Sequence, residues 1–92
     1  MEYYIVMNEW NYPTTSGRDI VGDYDTCEEA EAVAESEYNE EFSNFLDNVN
    51  HNIDNESSGR MFGEDGDCNG YALRSTQKEL FFRSVIIRRE VI

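Results

Sequence analysis

The sequence predicts an α+β domain in which one long acidic helix packs across an antiparallel sheet of four to five strands, in the order ββαβββ or ββαββ. Three observations carry this expectation. Strand-forming residues crowd both ends of the chain, Met1 to Trp10 and Phe81 to Ile92. Between them Ala30, Ala34, Tyr38, Phe42, Phe45 and Val49 recur every three or four residues, one continuous stripe at ~100° per residue. The 92 residues make one domain at most, read as a hairpin over 1–25, a helix over 26–49, a loop over 50–59 and antiparallel strands over 60–92.

Met1 to Trp10 places Tyr3, Ile5 and Met7 on one parity and Tyr4, Val6 and Trp10 on the other, so both faces carry apolar bulk and the strand reads as interior. Asn11 to Gly17 is a dense turn signal, and Asp19 to Tyr24 follows as a second strand that Gly22 weakens or bulges. Thr26-Cys27-Glu28-Glu29 fits a capping box and starts the helix. The run from Asn50 to Gly59 is polar and reads as a long connection. Arg60 to Phe62 is a brief strand, Asn69-Gly70 a hairpin signal before a strand from Tyr71, and Phe81 to Ile92 the longest strand.

Composition narrows the function. Seven Lys plus Arg against 20 Asp plus Glu leave a net charge of -13, which all but excludes direct binding to nucleic acid or to an anionic membrane. The apolar fraction is low at 39%, but 12 aromatic residues make each buried side chain large, and a folded domain is expected. No apolar run approaches a membrane span and Met1 to Trp10 has no basic n-region, so the chain reads as cytoplasmic. On that basis Cys27 and Cys68 are expected to be reduced thiols.

The charge is unevenly placed. Residues 1–56 hold 15 acids and only Arg18, a net of -14, whereas residues 57–92 hold 5 acids and 6 bases. Projected on the helix, Glu29, Glu40 and Asp47 lie opposite the apolar stripe, Glu28 and Glu35 on one shoulder and Glu37 on the other, while Glu31 and Glu41 fall inside or beside the stripe. A helix so charged repels itself and forgoes i to i+4 ion pairs. Solubility needs only about 2–8 charges of mixed sign on a small domain, so a solvated face accounts for part of this charge and a basic partner for the rest. Helical neighbours about 5–6 Å apart set carboxylates at separations comparable to successive phosphates. The candidate partner-binding residues are Asp23, Asp25, Glu28, Glu29, Glu35, Glu37, Glu40 and Asp47, with Trp10 and Tyr12 as aromatic anchors that could equally cap the core.

Other chemistry is weak. Asp65-Gly66-Asp67-Cys68-Asn69-Gly70 matches the start of a calcium loop, but the acid needed at the twelfth position is Thr76, so an acidic hairpin loop is expected. His51 is the only histidine and has no partner motif. No cofactor, metal site or catalytic residue is expected, and the chain reads as not an enzyme.

In size, in charge and in its acid-rich segment Asp23 to Asp54, the chain resembles the small acidic inhibitors that phages make against host defence, anti-CRISPR proteins and other nucleic-acid mimics, by type rather than by a shared motif. That resemblance implies a partner that is a basic nucleic-acid-binding protein or ribonucleoprotein complex in the host cytoplasm, bound by a monomer or homodimer. Two other readings stand beside it: an immunity protein or antitoxin masking a basic toxin, and a small-molecule sponge.

Overall fold

The computed structural model describes residues 1–12, 15–47, 53–54, 56–61, 68–76 and 80–90, the backbone alone for 45–47. The elements are β1 (Glu2–Asn11), β2 (Ser16–Tyr24), α1 (Cys27–Asp47), β3 (Gly59–Met61), β4 (Gly70–Arg74) and β5 (Phe81–Glu90). The α+β class and the ββαβββ order hold.

All neighbouring strands are antiparallel, in the order β2-β1-β5-β4-β3. β1 is interior, as its two apolar parities predict, and pairs β5 from Glu2↔Glu90 to Asn11↔Phe81. The β1–β2 register shifts beside Gly22: Val6 faces Gly22 and Met7 faces Ile20, so Val21 is the extra residue of a bulge. β2 begins earlier than expected, at Ser16, because Gly17 and Arg18 continue the ladder opposite Trp10 and Glu9.

The helix covers one face only. Tyr4, Val6 and Trp10 of β1 point to it, while Tyr3, Ile5, Met7 and Glu9 point away. The core under the helix has two parts. Val6, Ala30 and Ala34 are wholly buried at one end, where the small alanines let the helix backbone approach the sheet; Leu73 and Phe82 form the other, flanked by Trp10, Tyr12, Tyr38 and Phe42. Between them runs a polar seam. Asn8 faces Ser84 across the ladder and its Nδ2 donates to Glu37 Oε1 at 3.3 Å, while Asn8 Oδ1 and the wholly buried Ser84 hydroxyl have no hydrogen-bond partner among the described residues.

Three expectations are corrected. Cys27 and Cys68 are not separate thiols: they form a disulfide, with Cα atoms 5.6 Å apart across 41 residues of sequence, because the helix N-terminus lies over the approach to β4. That proximity is a tertiary fact which sequence spacing does not encode. The 50–59 loop ends one residue early, since β3 starts at Gly59; within it Ile53 bridges Ser75 and the Asp54 amide donates to the Arg74 carbonyl at 2.8 Å. Nor is Asn69-Gly70 the turn of its hairpin. Gly70 already belongs to β4, opposite Met61, and a Cβ there would stand 2.5 Å from the Ser84 carbonyl oxygen, so close strand packing demands the glycine. The calcium-like segment at 65–67, His51 and the predicted helix end at 48–49 lie outside the described residues.

Candidate functional site

The helix is launched by Thr26. Its Oγ1 accepts from the Glu29 amide at 3.2 Å and the Ala30 amide donates to its carbonyl at 3.1 Å. The capping box closes differently from its usual form, with the Thr26 hydroxyl within 3.2 Å of Glu29 Oε1. From this start two sets of carboxylates diverge around α1.

One set is turned toward the sheet and moors the helix to it. The Arg60 guanidinium of β3 donates to Glu31 Oε2 at 3.0 Å, Asn8 of β1 to Glu37, and the Tyr12 hydroxyl to Glu41 Oε1 at 2.5 Å. Burial, then the bond to Glu41, pushes the Tyr12 phenol far above its ordinary value. Burial also raises the phenols of Tyr38 and Tyr71, the latter assisted by Glu35 and opposed by Arg60. The Arg60–Glu31 pair is half exposed on its arginine side, so its contribution is at most about 1 kcal/mol. Helical projection had set Glu31 and Glu41 beside the apolar stripe; that misfit was the signal that they serve the fold.

The other set faces solvent. Glu28, Glu29 and Glu40 are exposed, spanning about 18 Å of helix at ~1.5 Å rise per residue, with Asp25 exposed just ahead of them. Glu35 is also exposed, close enough to Tyr71 to help raise its phenol. Glu37 is half-buried and engaged by Asn8. Asp23 faces Ile5 across the ladder and so points to the side of the sheet turned away from α1, apart from the helix acids. The side chain of Asp47 lies outside the described residues.

Trp10 and Tyr12 are half-buried and pack against the Leu73–Phe82 core. Both rings flank that core, and Trp10 also lines a surface depression. Two shallow depressions, of about 310 and 330 Å³, lie on the side turned away from α1; Glu9, Asn11, Arg18 and Phe81 line the first, Met7, Arg18 and Ile20 the second. Among the described residues no group of three or more His, Cys, Asp or Glu gathers to hold a metal ion, and no helix is long and apolar enough to cross a membrane.

Fold and surface together define a two-layer α+β domain whose single helix presents a row of exposed carboxylates. No protein-family model, no curated protein and no solved structure matches the chain.

Proposed function

We propose that this chain is a non-catalytic protein inhibitor of the anti-CRISPR type, which sets the outer face of α1 into a positively charged nucleic-acid-binding site of a host defence effector and blocks DNA or RNA by charge mimicry. The observation that carries the reading is the division of labour on α1. Glu31, Glu37 and Glu41 engage the sheet, whereas Glu28, Glu29 and Glu40 are exposed on the outer turns; the first two also suit the helix N-terminus, where Glu29 meets Thr26, while Glu40 in mid-helix does not. Exposed carboxylates held at helical spacing on a rigid element, with no base among them, cost self-repulsion and fit a cationic groove. The site of action is the host cytoplasm, where reductants open disulfides, so on this reading the domain also works with Cys27 and Cys68 reduced.

The test is capture of partners on the tagged protein from a nuclease-treated host lysate, followed by competition with an oligonucleotide for the retained effector. Reversal of Glu28, Glu29 and Glu40 to Lys together takes the net charge from -13 to -7. It is expected to abolish capture and competition while circular dichroism stays that of the folded domain, and the wild-type association rate is expected to fall steeply with salt. A folded triple variant that still competes at full strength would refute the proposal.

A further inference from the structure

We infer that the face of the sheet turned away from α1, which no other described element covers, is a homodimer interface, on which a second copy of this chain packs sheet against sheet with both acidic helices outward. The inference rests on the opposite side of the molecule from α1 and is independent of the function proposed above.

The register builds an apolar block there. Ile5 faces Ile87, Met7 faces Val85 on one side and Ile20 on the other, and Tyr3 extends the row. Ile20 is 65% exposed, the most exposed large hydrophobic residue of any strand, and α1 packs on the other face. A solvated sheet face is mostly polar; here Ile5, Met7, Val85 and Ile87 form a half-buried apolar centre, and the charged residues of the face lie around it.

Charge names the occupant. The register places Arg18, Arg74, Arg83 and Arg89 on this face against Glu9 and Asp23, a local net of +2 in a chain of -13. Arg83 lies 2.6 Å from Glu9 and over the Phe81 ring at 5.6 Å, a preformed polar rim beside the apolar block. Each copy therefore meets the other through its weakly charged side, apolar centre on apolar centre and mixed rim on mixed rim, as a two-fold interface requires. Sheets stacked about 10 Å apart hold the two helices roughly 30 Å from each other, about three Debye lengths or more at physiological salt, so their repulsion is screened. The acidic α1 face of one copy brought to that of a second would meet its own charge. At about 4.8 Å per strand and 3.3 Å per residue, the four strands β2, β1, β5 and β4 offer roughly 600 Å² in projection, near the lower bound for a specific interface, which points to a reversible dimer. The β2 edge is a poorer place for self-pairing, because the Val21 bulge and the charges of Arg18, Asp19 and Asp23 interrupt it.

Sedimentation equilibrium of the full chain, from about micromolar to about millimolar, decides the matter. The expected result is a monomer–dimer equilibrium that higher salt leaves unchanged or tightens. Ile20→Lys, at an exposed position that leaves folding intact, should weaken it about tenfold or more, and Val85→Lys, with folding checked by circular dichroism, should abolish it. The Lys reversals on α1 should leave the dimer intact, so loss of effector binding and loss of dimer separate cleanly. A monomer throughout the series overturns the inference, and so does a dimer indifferent to both sheet substitutions, a result that would transfer the contact to the β2 edge.

Discussion

Opening the Cys27–Cys68 disulfide perturbs the fold without changing a residue. The bridge closes a loop spanning 41 positions that contains the whole of α1 and β3. Loop-closure entropy for that length, about 13 cal/mol/K, corresponds to about 4 kcal/mol at 25 °C removed from the unfolded chain's freedom. Native small domains hold about 5–15 kcal/mol in all, so the reduced protein remains folded but with much of its margin gone. At about 4–8 °C per kcal/mol for a domain of this size, the thermal midpoint should fall by roughly 15–30 °C. The assay is circular-dichroism melting and urea unfolding with and without a phosphine reductant. The urea slope should rise as the reduced unfolded chain expands. Alkylation in denaturant under non-reducing conditions should add nothing to the intact mass, and two adducts there, or a midpoint moved by less than a few degrees, would refute the bridge and the entropy argument together. A reduced protein that is unfolded at 25 °C would instead remove the cytoplasmic part of the proposed function.

Three further outcomes follow from particular contacts. The raised phenol of Tyr12 means that the folded state keeps its proton where the unfolded chain, titrating near 10, has lost it; stability is therefore full below about pH 10 and falls above it, by at most about 1.4 kcal/mol per pH unit from this group, and urea midpoints from pH 9 to 11 should show a shallower decline in Tyr12→Phe. Gly70→Ala should destabilise by roughly 1–3 kcal/mol in urea unfolding, since its Cβ would meet the β5 backbone at Ser84 rather than a movable side chain. Thr26→Ala removes the acceptor of the Glu29 amide and should cost about 1 kcal/mol, with Thr26→Ser restoring most of it.

Periodicity determined a good deal of this protein. Two apolar parities in Met1 to Trp10 placed β1 inside the sheet, the recurrence of Ala30, Ala34, Tyr38 and Phe42 drew the buried stripe of α1, and Thr26 marked its start, because these are local properties of spacing that the backbone must obey. The charge asymmetry of the two halves was equally plain from composition. What each acid does was not. Projection put Glu37 on a shoulder of the stripe and Glu40 opposite it, but that Asn8 engages Glu37 was not legible, because a partner 29 positions away is chosen by packing. Likewise only packing set Trp10, read as anchor or cap, beside Leu73 and Phe82, and the thiols of Cys27 and Cys68 met only when the helix crossed toward β4. The sheet face turned away from α1 is the clearest case: the two parities of β1 announced two apolar faces, but only the tertiary arrangement decided which of them the helix covers.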